Sequence, residues 1–283
     1  MAWKKGNITV PRRSGNPFKG AVYSWENRTR GHRDENKLVA GGELFCHGLW
    51  AQELTLTTGE YPPYCSETLK YQGLIPHVVS EAFKSEGVSV KFQFLPWKRA
   101  FRLSEEGVVD GTVHWYESNE RRKTHLYSDP ILSETYVWFY LKSDPLEWRG
   151  YQDLADRKLA AVSGYTYNAD FFAAIAQVPL QVQFVTRLRQ SFDLLLSGRA
   201  DLTLENIDVG YYSLRQFYPA STVDLFATHS KPVMKVEGHL LISRKRANAD
   251  ELIKTFNRGL AKLKASGQLE KMLLESRSGL YEP

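Results

Sequence analysis

The residues best placed for chemistry lie in one short stretch, Asp110-Gly111-Thr112-Val113-His114-Trp115-Tyr116-Glu117-Ser118-Asn119-Glu120-Arg121-Arg122-Lys123. Gly111 to Val113 reads as a short buried strand, which the chain leaves through a histidine and two aromatics. Ser118 or Asn119 can then cap a helical turn carrying Arg121. In open α/β sheets ligands sit just beyond the carboxyl ends of strands, which is where these side chains fall. Arg121 either joins Arg122 and Lys123 in a solvated basic turn or reaches a ligand. Trp115 is expected to face a cleft, whereas His114 reads first as a hydrogen-bonded structural histidine and only second as a ligand contact. The arrangement recurs further along: Gly198-Arg199-Ala200-Asp201, a strand Leu202 to Leu204, then Glu205-Asn206. Glu205 and Asn206 either cap the next helix or touch a ligand. Two such units, each after an amphipathic helix, predict two similar lobes whose strand ends face one another across a cleft.

Glu205 or Glu117 would be the candidate for acid–base catalysis, given a pKa raised by burial. No nucleophile elbow or phosphate loop accompanies them, and Ser163-Gly164 lacks a GxSxG frame. The seven histidines form no HxxxH pair, and Cys46 and Cys65 give no metal-ligand spacing. No catalytic residue, metal or cofactor is therefore expected.

The elements that must position these residues follow a regular order. Leu54 to Thr58 alternates like a strand, and Tyr61-Pro62-Pro63-Tyr64 is a loop that its prolines should keep extended. A helix from Leu74 to Ser85 tolerates Pro76 in its first turn. A strand Val88 to Leu95 and a helix Trp97 to Ser104 lead into the stretch above. This β-α-β-α-β order implies a mostly parallel sheet covered on both faces. Ile131 to Leu141 is an apolar, aromatic run expected to form a long strand leaving this lobe. A second series follows: strand Lys158 to Val162, helix Asn168 to Ala176, strand Gln181 to Val185, helix Leu188 to Ser197 and strand Leu202 to Leu204. A further strand, Gly238 to Ser243, precedes helices Ala249 to Ser266 and Gln268 to Ser276.

The 283 residues suffice for one large or two ordinary domains. The net charge of +5 would suggest a nucleic-acid partner, but it resides in Met1 to Glu43, where nine Lys and Arg meet four Asp and Glu. The remainder carries 28 of each and offers no basic stripe, so no nucleic-acid partner is expected. No apolar run approaches the ~20 residues of a membrane span. The polar, aperiodic N-terminal segment should be disordered. Leu44-Phe45-Cys46-His47-Gly48-Leu49-Trp50-Ala51 then looks like the end of a secretory signal peptide, with Ala51 at the cleavage position. On this reading residues 1–43 come from a misassigned start or a frame change, residues 1–52 are tail and signal remnant, and the mature periplasmic protein begins near Gln52. The alternative is a cytoplasmic protein with a basic tail.

Several motifs occur together in a telling order. They are the Tyr-Pro-Pro-Tyr loop, the Gly73 helix start, Gly107-x-x-Asp110-Gly111, Glu120-Arg121 with Tyr127-Ser128-Asp129-Pro130, Asp153-Leu154 before a strand and Gly164, and Gly198-Arg199-Ala200-Asp201. In this set the chain from Glu53 to about Ser276 resembles the periplasmic solute-binding proteins of amino-acid-type ABC transporters (family 3, type II). The resemblance implies a two-lobe α/β fold that closes on a small solute. Lobe one would be residues 53–141 and 238–283, and lobe two residues 142–237. It implies a non-enzymatic monomer that hands a small polar, carboxylate-bearing solute to an inner-membrane ABC permease. An arginine at the position of Arg121 would hold the carboxylate by a two-pronged hydrogen-bonded pair. Tyr61 or Tyr64 would cover the ligand, and Tyr165 and Thr166 would add hydroxyls. The family's ammonium-binding acid falls at the neutral Asn206, with Glu205 beside it as a substitute, and bulky Trp115 and Glu117 replace small hydroxyl residues. The ligand is thus left open among a dicarboxylate, a peptide-like compound and an aromatic one stacked on Trp115. A stand-alone periplasmic sensor and a dehydratase-like enzyme are the competing readings of the scaffold.

Overall fold

The computed structural model describes residues 53–163, 165 and 167–282. The expected tail and signal remnant lie outside the described residues. The chain begins with β1 (Glu53–Thr58), α1 (Leu74–Lys84), β2 (Ser89–Phe94), α2 (Trp97–Glu105) and β3 (Gly111–Trp115), then a short α3 (Asn119–Thr124) and β4 (His125–Tyr127). β5 (Leu132–Leu141) leads to β6 (Lys158–Val162), α4 (Ala169–Gln177), β7 (Gln181–Val185), α5 (Leu188–Leu196) and β8 (Leu202–Asn206). There follow α6 (Ile207–Phe217), α7 (Ala220–Val223), β9 (Phe226–Thr228), β10 (Met234–Ser243), α8 (Ala249–Ala265) and α9 (Gln268–Arg277). Hydrophobic periodicity anticipated most of the longer elements, but not α6, for which the sequence offered only a capping residue at its start. It missed β4, α7 and β9, which are too short to show a period, and it started β10 late. The first residues of β10 alternate between half-buried and exposed, so Lys235 and Glu237 masked the strand.

The strand order is β2-β1-β3-β10-β5-β8-β6-β7. β1 pairs in parallel with β2 and β3, and β6 in parallel with β7 and β8, giving the two parallel trios that the β-α-β pattern predicts. β10 runs antiparallel to β3, β4 and β5, and β5 antiparallel to β8 and β9. The fold is therefore mixed α/β with two lobes, each trio bordered by one of two long strands that also pair with each other. β10 gives its second half to β3 and its first half to β5, while β5 gives its second half to β8.

Period-two alternation decides what each strand buries. Along β5, Val137 and Phe139 face Phe192 and Val209, while Tyr136 and Trp138 face Trp148 and Phe171. Asn168 and Asn206 start α4 and α6 by accepting backbone N–H bonds at their Oδ1 atoms. Among the described residues no helix is long and apolar enough to cross a membrane.

α8 crosses α1 so closely that a Cβ on Gly259 would lie 2.0 Å from the Ala82 carbonyl oxygen. Glycine is needed there for space. Gly259→Ala, which would stabilise an isolated helix by about 1 kcal/mol, should here destabilise the protein by about 1–3 kcal/mol through overpacking. The midpoint of urea unfolding reads this directly, and a raised midpoint would contradict it.

Candidate ligand-binding site

The loop after β1 closes instead of staying extended. Tyr61 and Cys65 exchange both backbone bonds, at 2.7 and 3.0 Å, around a cis Pro62–Pro63 peptide. The two prolines, which have no N–H to offer, occupy the turn, and Tyr61 and Tyr64 flank it. At the end of β3 the pairing with β10 slips between His239 and Leu240, so His114 is the extra residue of a bulge, with φ of 66°. Beyond it, Trp115 Nε1 donates to Thr112 Oγ1 at 2.8 Å. Arg121 Nη1 donates to the Tyr116 carbonyl at 2.9 Å, and its guanidinium lies 4.8 Å over the Trp115 ring. Trp97 meets Trp115 edge-on and rests on Gly59, where a Cβ would fall 2.4 Å from the indole.

These elements enclose a cavity of about 340 Å3. Tyr61 and Trp97 form one part of its wall, His114, Trp115, Tyr116 and Arg121 another, and Tyr136 from β5 and Tyr165 from the turn after β6 complete it. Of the residues nominated from sequence, Arg121, Tyr61, Trp115, Tyr165 and His114 are on the wall. Tyr64, Glu205 and Asn206 are fully buried and do not line the cavity. Thr166 lies outside the described residues. Sequence reasoning passed over Trp97, Tyr116 and Tyr136 as wall residues.

It also passed over Glu134, which is 1% exposed. Its Oε1 lies 2.8 Å from His114 Nε2, and its Oε2 accepts from Tyr116 Oη at 3.0 Å and Asn206 Nδ2 at 2.9 Å. A chain of phenols, Tyr116 to Tyr136 at 3.3 Å and Tyr136 to Tyr61 at 2.9 Å, runs along the wall from this acid. Asn206 Oδ1 accepts from Tyr64 Oη and from the N–H groups of Asp208 and Val209. Tyr64 also donates to Asp208, which Arg277 grips by two bonds of 2.7 and 3.1 Å. A signal for Glu134 was present in the sequence: it is the one acid in the apolar run Ile131 to Leu141, and a buried acid needs a partner.

A family model for bacterial extracellular solute-binding proteins, family 3, matches residues 55–275. The chain belongs to this family. Substrate-binding domain 2 of GlnP from Lactococcus lactis, in its open conformation, is similar in structure, with a TM-score of 0.64 at 22% identity over 80% of this chain and 95% of that one. The second substrate-binding domain of a putative amino acid ABC transporter from Streptococcus pneumoniae gives 0.63 at 19%, over 80% and 99%. An ancestral amino acid-binding protein described as a precursor of cyclohexadienyl dehydratase gives 0.54 at 22%, over 78% and 94%. At these identities the likeness establishes the shared fold. No curated protein matches the sequence.

The electrostatics of this family 3 protein centre on two buried groups. Burial opposes a charge on His114, but Glu134 and the Cys65 sulfur, 3.7 Å from Nδ1, outweigh it and raise the pKa to about 10. The imidazolium is thus paired in the fold, and the stability it confers is complete below its ordinary pKa of about 6.5 and lost as pH rises through about 10. Glu205 has linkage of the same sign, although there it is the neutral form that the fold favours. Burial, with the Glu134 charge adding to it and the Asn206 N–H opposing it, raises its pKa to about 8, and Oε2 has no partner. A carboxyl raised in the fold loses stability as pH climbs from about 4.5 to 8, because the unfolded chain ionises first.

Two outcomes follow. Glu134→Ala, which strands a buried imidazolium, should cost about 3–5 kcal/mol at neutral pH in urea unfolding; a loss below about 1 kcal/mol would be that of a surface pair. Glu205→Gln should raise the melting temperature at pH 8.5 and leave it nearly unchanged at pH 5, and equal effects at both values would contradict the raised pKa.

Proposed function

We propose that this protein is a periplasmic solute-binding protein that closes its two lobes on a small carboxylate-bearing solute and delivers it to an ABC permease. Residues 53–141 with 238–283 form one lobe, residues 142–237 the other, and β5 and β10 are the hinge strands. The observation that carries the reading is Arg121. Its guanidinium lies over the Trp115 ring at the wall of a cavity, with one N–H committed to Tyr116 and no carboxylate partner among the described residues. A guanidinium offers five N–H donors in a planar fork that matches a carboxylate. Tyr165, reaching the same cavity from the other lobe, supports a site that both lobes share and hence a closed state favoured by ligand. Tyr61, Trp115 and His114 complete the contacts, while Tyr64, Asn206 and Glu205 act from beneath the wall. The protein works as a monomer.

A second reading, an enzyme on the same scaffold, draws support from Glu205, whose raised pKa suits proton transfer near neutrality. Glu117 suits it less, being exposed and bonded to Arg122. In the binding reading a solute is recovered unchanged after incubation, and in the enzymatic one it is consumed.

Arg121→Ala should weaken a carboxylate ligand by about 2–3 kcal/mol, roughly a hundredfold, the range for hydrogen bonds to charged groups, with the circular dichroism spectrum unchanged. Calorimetric titration measures it, and an unaltered dissociation constant would remove Arg121 from the site.

A further inference from the structure

We infer that the solute is a monocarboxylate with an aromatic or similarly flat apolar body and no ammonium group. This rests on the carboxylate-binding reading above and narrows it. Seven of the eight residues on the described wall are rings, the eighth is Arg121, and none is an acid. The composition is that of a site which holds one negative charge and surrounds the rest of the ligand with π faces and edges.

Each acid near the cavity except Glu205 is already spent. Both oxygens of Glu134 are taken, one by His114 and the other by Tyr116 and Asn206. Asp208 is gripped by Arg277 and Tyr64. Glu205 is fully buried off the wall, one oxygen held by the Asn206 N–H and the other without a partner, and its burial keeps it protonated at neutral pH. Glu117 turns to Arg122. Asn206 has its oxygen bonded three ways and its amide given to Glu134, so it cannot receive an ammonium either.

An ammonium entering the cavity would shed water at a cost of several kcal/mol and meet no counter-charge. It would instead lie near Arg121 and the paired imidazolium of His114. A second carboxylate fares no better, since Arg121 is the one cation on the wall without an acid partner among the described residues. A ring is favoured: edge-to-face and offset contacts add about 0.5–1.5 kcal/mol per aromatic pair beyond the area buried. With Arg121 lying on Trp115 and Trp97 edge-on to that ring, a carboxylate held at the guanidinium has its body beside two indoles. The volume of about 340 Å3 suits a single small ring with a short side chain.

The test is calorimetric titration of the protein with matched pairs that differ only in the ammonium group: phenylacetate and phenylglycine, 3-phenylpropanoate and phenylalanine, 3-indolepropanoate and tryptophan. Butanoate and glutarate serve as ringless and doubly charged comparators, and Arg121→Ala is run beside the wild type. The tightest ligand should be a ring-bearing monocarboxylate that exceeds its amino-acid partner and both comparators by about tenfold or more. A tightest ligand that carries an ammonium group, lacks a ring or bears two carboxylates overturns the inference while leaving carboxylate binding at Arg121 in place. Silence across the panel, or wild-type affinity in Arg121→Ala, overturns the inference together with the carboxylate reading beneath it.

Discussion

The ion pair between His114 and Glu134 is the constraint from which the rest of the site follows. Both side chains are essentially out of solvent, at 1% and 0% exposure. Burial alone would disfavour the charge on His114, and the carboxylate beside it outweighs that, so removing either partner leaves the other buried and unpaired. Geometry had to be arranged to bring them together. A bulge at the end of β3 puts His114 in the left-handed region, where a non-glycine residue is uncommon, and turns it towards β5. The neighbouring strand must then carry glycine, because a Cβ on Gly238 would lie 2.8 Å from the imidazole. Backbone strain, bulge and bare glycine are thus three consequences of one buried charge pair.

The acid of that pair sits on β5, one of the two long strands that join the parallel trios, and it has more capacity than the histidine uses. Its second oxygen collects Tyr116 from the exit of β3 and Asn206 from the end of β8. A single carboxylate on β5 therefore fixes three side chains, from β3, its exit and the end of β8, and through Tyr116 it sets the phenol chain that reaches Tyr136 and Tyr61. The wall of the cavity is held in place by a network that touches it from behind. This is how a site made almost wholly of rings acquires definite geometry, since ring contacts alone are weakly directional.

The same arrangement explains which parts of the molecule could be read from its sequence. Most of the longer strands and helices, α6 excepted, were legible because elements such as β6, β7 and α8 carry their period in plain apolar residues. Arg121, Trp115 and Tyr61 were legible as candidates because they follow strand ends. Asn206 and Glu205 were legible as chemistry but not as placement: the residue that caps α6 and the acid beside it are drawn below the wall by backbone N–H groups. Tyr64 shares that fate, held by Asn206 and Asp208. Trp97 read as a helix start packed on the sheet, and only its approach to Gly59 brings it to the cavity. What the sequence withheld was pairing over long separations. Glu134 meets Asn206 across 72 positions and Tyr64 meets Asp208 across 144, and no local pattern encodes such contacts.

Arg121 and the buried histidine are two cations of one wall with different surroundings. The imidazolium on the wall has its charge met by a fixed acid behind it, so it contributes rigidity and little net field. The guanidinium is kept half-exposed by a different device, a ring under its face and a carbonyl at one N–H, neither of which cancels its charge. A carboxylate of the protein beside Arg121 would have cancelled that charge. By spending Glu134 on His114 and placing Arg121 over Trp115, the fold leaves one oriented positive charge at the cavity with no acid partner among the described residues. Charge pairing is used up in the core, and π contact is used to aim what remains.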